Sequence, residues 1–258
     1  MENSGQQTKP DYGLDAPGVV KAMLGGAVVA VLIVIARLAG LWNERTSLAV
    51  ILYPLGSMGI ALGLTALAMV WYSRVGKLRA REKLFDNLHL RGDEIVLDIG
   101  CGRGLWLLAA AKRLPRGHAI GIDIWNMQDL SDNAAVRTMN NAKLEGVADR
   151  VELLTADARQ LPFENDHFDL IVSSAAIHNI YDAPGRATAI REVARVLKPG
   201  GRVMIFDIRH ADEYAKTLQE CGCAAKVERS AMAKLVTLWT FRSLTPAIAA
   251  ATKPAVAA

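Results

Sequence analysis

The sequence predicts an α/β protein whose mostly parallel sheet has helices on both faces and is preceded by two transmembrane helices. Three observations predict this class. From residue 93 onward, short apolar runs rich in β-branched residues alternate with amphipathic helical patterns, which is the order of βαβ units. Two long apolar runs come before them. Apolar residues make up 52% of the 258 residues, and the excess lies mostly in the first third of the chain.

The two apolar runs cover residues 19–41 and 47–72. The second run carries no charge, and a helix needs about 20 apolar residues to cross the hydrocarbon core. The first run contains Arg37 near its end, and this side chain would have to extend to the membrane interface. We predict two transmembrane helices within residues 18–73. The alternative is a buried helix pair in a soluble protein.

A basic run follows the second apolar segment directly, in a chain with a net charge of +4. Its members are Arg74, Lys77, Arg79, Arg81 and Lys83. Basic residues collect on the cytoplasmic side of transmembrane helices, so we expect a multi-pass membrane protein whose following domain is cytoplasmic. No basic stripe interleaved with aromatic residues is present, so nucleic acid is not an expected partner. Residues 74–92 are predicted to form a basic amphipathic linker helix, which either packs on the sheet or lies on the bilayer.

The three cysteines, Cys101, Cys221 and Cys223, do not form a disulfide framework, because their number is odd and one lies in a glycine-rich loop. A reducing cytoplasm is the simpler interpretation. No His or Cys pair matches Cys221 and Cys223, so we expect no metal site. The polar residues 1–17 and the residues 243–258, rich in Ala, Pro and Thr, are predicted as disordered tails.

The domain between these limits, residues 93–242, is predicted as five strands and four helices with an edge hairpin. The strands are expected at 94–100, 118–124, 150–156, 168–174 and 201–208. The helices are expected at 104–114, about 131–145, about 185–197 and 211–221. The last two segments, KVERS and KLVTLWTFR, are interpreted as a hairpin at the edge of the sheet.

The strongest chemical signal is VLDIGCGRG, residues 96–104, in which an apolar strand runs into Gly100, Gly102 and Gly104. Glycine permits a tight turn and lets a ligand approach the backbone, and the helix that follows offers unpaired N–H groups. A dinucleotide fingerprint needs a third glycine where this chain has Leu105, which argues against a nicotinamide-dependent oxidoreductase. No lysine is placed to meet a phosphate, so the expected ligand is a nucleoside without a pyrophosphate.

Two acids follow at the ends of the next strands. Asp123 closes the second strand, roughly 20 residues after the glycine loop, where an acid can accept hydrogen bonds from ribose hydroxyls. Ile124 beside it would offer an apolar face to the base. Asp157 follows the third strand. Capping and turn formation are the alternative roles of these two acids. Trp125 opens an insertion at 125–130 and either overhangs the ligand or simply packs.

Five motifs occur together in a fixed order: VLDIGCGRG, GIDI, TADA, FDLIVSS and VLKPGGRV. With them, the sequence from about residue 91 to 242 resembles the class I S-adenosylmethionine-dependent methyltransferases. The resemblance implies a Rossmann-like sheet with an antiparallel last strand, and S-adenosylmethionine as the cofactor. It places the following residues at the cofactor: Asp98, Gly100, Cys101, Gly102, Gly104, Asp123, Ile124, Asp157, Ala158 and Ser174.

The resemblance also places the end of the fourth strand beside the methyl group. His178 is the one histidine considered there as a catalytic base, and a structural or cofactor-side role is its alternative. The function implied is a membrane-anchored methyltransferase for a small or lipidic acceptor. A protein methyltransferase acting on a membrane-associated protein and a non-catalytic binding module remain open, as do the acceptor atom and the oligomeric state.

Overall fold

The computed structural model describes residues 9–40, 49–126 and 134–255. The chain divides into two compact units. Of the described residues, 13–80 form one unit, here called the hairpin unit. The remaining ranges, 9–12, 81–126 and 134–255, form the other, here called the sheet unit.

The α-helices alternate with strands from residue 95 onward. The helices are Pro17–Leu38 (α1), Ala49–Trp71 (α2), Lys77–Asp86 (α3), Leu105–Lys112 (α4), Ala135–Leu144 (α5), Ala183–Val196 (α6), Ala211–Glu220 (α7) and Ala231–Trp239 (α8). The strands are Ile95–Ile99 (β1), His118–Asp123 (β2), Val151–Thr155 (β3), Phe168–Ser174 (β4), Leu197–Asp207 (β5), Ala224–Glu228 (β6) and Ala247–Thr252 (β7).

In the described part of the chain, seven strands form one sheet in the order β3-β2-β1-β4-β5-β7-β6. Strands β1 to β5 are parallel, and β7 runs antiparallel between β5 and β6. The predicted mostly parallel sheet with an antiparallel last strand is confirmed. Because the central strands are parallel, β1, β2 and β4 all end at one edge of the sheet, which is where such folds bind ligands. We call this the carboxyl edge.

The end of the chain differs from the sequence prediction. Residues 247–252 are the inner strand β7, so the disordered tail predicted for 243–258 is wrong there. Every second residue of β7 is a buried alanine, and its small side chain fits between the sheet and the helices. The segment KLVTLWTFR, predicted as a strand, lies mostly in α8, because Ser230 caps that helix by accepting the Ala233 amide at 3.1 Å.

In the hairpin unit, α1 and α2 pack antiparallel through small residues. A Cβ added to Gly59 would come within 2.2 Å of the Ala30 Cβ, and one added to Gly63 within 3.5 Å of the Ala27 Cβ. Small residues allow helix backbones to approach this closely, as in membrane helix pairs.

Large apolar side chains on these helices point outward. Examples are Val28, Leu32, Ile60, Leu64 and Leu67. Only 11% of each apolar window is buried in the structure, whereas the core helix of a soluble protein is mostly buried. Both are long and apolar enough to cross a membrane.

The linker continues α2 through a π-helical turn, Tyr72–Gly76, into α3. From residue 81 on, the linker belongs to the sheet unit. For that part, the structure favours packing on the sheet over lying on the bilayer. Phe85 is buried edge-to-face against Trp106 with ring centroids 5.9 Å apart, and Arg113 donates to Glu82 at 2.8 Å. The basic run is therefore not uniformly exposed, since Lys77 and Arg81 are buried.

Residues 9–12 belong to the sheet unit and are here called the strap. Tyr12 is buried, donates its hydroxyl proton to Glu145 at 2.5 Å and lies under the guanidinium of Arg81, 4.9 Å from the ring centroid. The disordered tail predicted for 1–17 is therefore wrong at the strap, and residues 1–8 lie outside the described chain.

Candidate functional site

The glycine loop owes its alternating pattern to backbone geometry. Gly100, Gly102 and Gly104 have φ values of +69°, +51° and +85°, a left-handed region that strains residues with a Cβ. A Cβ on Gly100 would also lie 2.2 Å from the Ala176 Cβ, in the segment after β4. Glycine at alternate positions is thus required by the turn that joins β1 to α4.

Asp123 joins this loop to the end of β2. Its Oδ2 accepts the amide of Gly102 at 2.8 Å, and its Oδ1 accepts the amide of Trp125 at 2.7 Å. The carboxylate is half-buried at the carboxyl edge. The structure therefore brings together the two motifs that sequence analysis linked only by their order in the chain.

An apolar surface lies next to this carboxylate. Ile124 is 62% exposed, which is unusual for a large aliphatic residue at the end of an inner strand. Trp125 has a left-handed backbone, with φ of +58°, and its indole donates to Thr155 Oγ1 at 2.9 Å. Trp125 is thus tied to the end of β3. Residues 127–130 of the predicted insertion lie outside the described chain.

Asp157 and Ala158 form the turn that follows β3. The Asp157 carboxylate accepts two hydrogen bonds from the Arg159 guanidinium, at 2.6 and 3.0 Å on Oδ2. These bonds hold the pKa of Asp157 below its usual value. The pair is solvent-exposed, so it can open at little energetic cost.

Asp98 and Cys101 lie beneath the loop rather than on its open side. Both side chains are buried, and a Cβ on Gly121 would come within 2.8 Å of the Cys101 Sγ. Burial raises the pKa of Asp98 well above its usual value, and the nearby Asp123 carboxylate adds to this. Burial likewise raises the pKa of the Cys101 thiol. Both groups are therefore disfavoured in their charged forms.

His178 lies beyond the end of β4, close to a buried carboxylate that the sequence analysis did not single out. Its Nδ1 is 2.5 Å from Oδ1 of the fully buried Asp207. The ring is oriented so that these two atoms do not form a hydrogen bond. Asp207 also accepts the His178 amide at 3.0 Å and the Tyr214 hydroxyl at 3.1 Å. Ser174, at the end of β4, pairs with Phe206, the residue before Asp207.

A further group that sequence analysis missed holds the glycine loop from the side of α5. Thr138 donates to the Gly102 carbonyl at 2.5 Å, and Asn141 donates to the Arg103 carbonyl at 2.9 Å. Asp11 of the strap pairs with Arg103 at 2.6 Å. The sequence feature that could have identified these residues is the three-residue spacing of Thr138 and Asn141, which places both on one face of a helix.

Comparison with known proteins identifies this arrangement. Residues 96–201 match a family model described as a methyltransferase domain. The chain carries a class I S-adenosylmethionine-dependent methyltransferase domain. S-adenosylmethionine is the cofactor of this domain.

Two curated relatives match the methyltransferase domain at 34% identity. One is a demethylmenaquinone methyltransferase of Lactiplantibacillus plantarum, aligned over 52% of this chain and 53% of its own length. The other is the methyltransferase GfsG of Streptomyces halstedii, aligned over 59% of this chain and 52% of its own. The chain thus spans about half the length of these relatives.

Solved structures share the fold of the methyltransferase domain. The [4+2]-cyclase SpnF has a TM-score of 0.56 at 21% identity and covers 69% of this chain and 82% of its own. The YcgJ protein of Bacillus subtilis has a TM-score of 0.54 at 19% identity and covers 69% and 100%, respectively. At these identities the likeness shows the fold alone.

We predict that Asp98→Asn stabilises the cofactor-free protein at neutral pH. A carboxyl whose pKa is higher in the folded than in the unfolded state binds more protons when folded, so stability falls as pH rises above the unfolded value of about 4. The unfolding temperature of the wild type should therefore drop relative to that of Asp98→Asn as pH rises from 4 to 8, measured by thermal scanning in detergent. The exposed Asp149→Asn is the matched control. Parallel curves for the wild type and Asp98→Asn contradict the prediction.

Proposed function

We propose that this protein binds S-adenosylmethionine at the carboxyl edge and transfers its methyl group to a small lipidic acceptor, while anchored in a membrane. The observation that carries the proposal is the hydrogen bond between the Gly102 amide and the Asp123 carboxylate. It places a glycine backbone, which a ligand can approach closely, directly against an acid at the end of the neighbouring strand.

The residues at this edge fit the cofactor. The Asp123 carboxylate closes β2, where an acid can accept hydrogen bonds from ribose hydroxyls. The exposed Ile124 offers an apolar wall to the adenine, and Asp157 with the Ala158 amide would meet the edge of the base. When bound, the cofactor supplies a methyl group on a positively charged sulfur, which is a strong electrophile. The chain's own part is to align the acceptor with it.

The acceptor class is inferred from two features. One is the similarity to proteins named demethylmenaquinone methyltransferase, in which the acceptor is a lipidic quinone precursor. The other is the pair of long helices whose apolar side chains point outward in the hairpin unit. Both favour an acceptor that partitions into the bilayer.

We infer that α1 and α2 both cross the membrane and that the methyltransferase domain is cytoplasmic. Outward-facing apolar side chains are stable in lipid and costly in water. Arg74, Arg79 and Lys83 are the exposed members of the basic run, and such residues favour the cytoplasmic side.

His178 is proposed as the base that takes a proton from the acceptor, with Asp207 as the residue that positions it. A carboxylate beside an imidazole nitrogen can fix the orientation of the ring. A small rotation of the ring would turn the 2.5 Å contact into a hydrogen bond, leaving the other ring nitrogen to face the acceptor.

Asp123→Ala is expected to weaken S-adenosylmethionine binding by tenfold or more, because hydrogen bonds to a charged group contribute about 1.5–3 kcal/mol each. The measurement is calorimetric titration of the detergent-purified protein. Asp149→Ala, which removes an exposed acid away from the carboxyl edge, serves as the control and should bind normally. Equal affinity of Asp123→Ala and the wild type would overturn the proposed cofactor site.

Membranes containing the protein, incubated with methyl-labelled S-adenosylmethionine, should carry the label in the solvent-extracted lipid fraction. The reason is the proposed bilayer-soluble acceptor. Label in the precipitated protein would instead favour a protein methyltransferase. If neither fraction exceeds that from Asp123→Ala membranes, a non-catalytic binding module is favoured.

His178→Asn should lower the turnover rate by about 10²-fold or more, the usual contribution of a general base, with binding of S-adenosylmethionine unchanged. Asp207→Asn should also lower the turnover rate, because the ring loses the buried carboxylate beside it. The measurement is label transfer into the lipid fraction at saturating S-adenosylmethionine. A turnover rate equal to that of the wild type in both variants excludes the base.

A further inference from the structure

Helix α8 lies at the same edge of the sheet as the proposed site. It connects β6 to β7, and β7 begins at Ala247, which pairs with Asp207 at the end of β5. The segment after α8 is fastened there: the Thr245 amide donates to the Ile208 carbonyl at 2.8 Å, and Arg209 donates to the Ser243 carbonyl at 3.1 Å. Helix α8 therefore lies at the carboxyl edge, on the side of β6 and β7.

The outward face of α8 is apolar, the reverse of a normal surface helix. Met232, Leu235 and Trp239 share this face at helical spacing, with Leu238 beside them, while Ala233 packs inward. Trp239 is 76% exposed, and Phe241, just after the helix, is 94% exposed. An apolar patch this continuous on a soluble domain marks an interaction surface.

The positive charge around this apolar patch indicates which kind of partner binds there. From residue 229 to 242 the sequence contains three basic residues and no acid. Arg229 is paired with Asp212 at 2.5 Å, whereas Lys234 and Arg242 are exposed within the stretch. A second copy of this chain would bring the same positive charges face to face, but an anionic phospholipid surface complements them.

We propose that α8 and Phe241 insert into the surface of an anionic phospholipid bilayer. An amphipathic helix of this kind lies in the plane of the interface with its apolar face roughly 5–10 Å into the boundary between headgroups and acyl chains. Docking there opens the carboxyl edge toward the lipid, so that a lipidic acceptor reaches the site without crossing water. This inference rests on the membrane anchoring proposed above.

The test is quenching of tryptophan fluorescence by lipids with brominated acyl chains. The full chain is placed in vesicles of phosphatidylcholine and phosphatidylglycerol, with or without bromine. The signal of Trp239 is the difference between the wild type and Trp239→Phe. We expect this signal to be quenched by brominated lipid and to lose that quenching in Leu235→Ser/Leu238→Ser. The quenching should weaken in the wild type as phosphatidylglycerol is withdrawn, and it should be weaker in Lys234→Gln/Arg242→Gln even when phosphatidylglycerol is present. Leu144→Ser, which alters a partly exposed leucine on α5, is the control that leaves quenching unchanged.

The residual quenching in Trp239→Phe that disappears when Trp71→Phe is added reports the hairpin unit, because Trp71 lies at the end of α2. If this residual quenching is present and the Trp239 signal is unaffected by bromine, docking of α8 is overturned while the anchor stands. If the residual quenching is absent, the anchor itself fails. A blue shift of Trp239 emission without quenching means that a protein, such as a second copy, covers the face, and this also overturns the proposal.

Discussion

The hydrogen bond from the Gly102 amide to the Asp123 carboxylate joins the glycine loop to the acid at the carboxyl edge. It fixes a loop whose three glycines all have left-handed backbones, and it does so from the neighbouring strand. Thr138 and Asn141 hold the same loop through its carbonyl groups from the other side. The loop is thus clamped between β2 and α5, and the acid that would bind a ribose also shapes the turn beside it.

Much of this architecture could be predicted from the sequence because its signals are local. The apolar strands, the glycine pattern and the acids at strand ends depend on near neighbours, and each appears where expected within a few residues. Strand β7 was missed because its composition, Ala-Ile-Ala-Ala-Ala-Thr, carries little β-propensity. Its stability comes from pairing with two strands at once, which is a property of the sheet and not of the segment.

The same reason explains the missed site residues. Asp207 follows His178 by 29 residues, and only the pairing of β4 with β5 brings them together. Asp98 is predicted as a cofactor residue from its motif, and the structure adds that its carboxyl is buried and its charge desolvated. The motif shows that an acid is present, whereas its degree of burial depends on the folded sheet.

The strap adds a constraint of a different kind. Residues 9–12 and the chain from residue 81 onward belong to the same compact unit, so the hairpin unit is tied to one body at both of its ends. A segment fastened in this way leaves and re-enters on the same side of any barrier. For the anchor proposed above, this connectivity requires an even number of crossings between Tyr12 and Arg81, such as the pair that α1 and α2 provide.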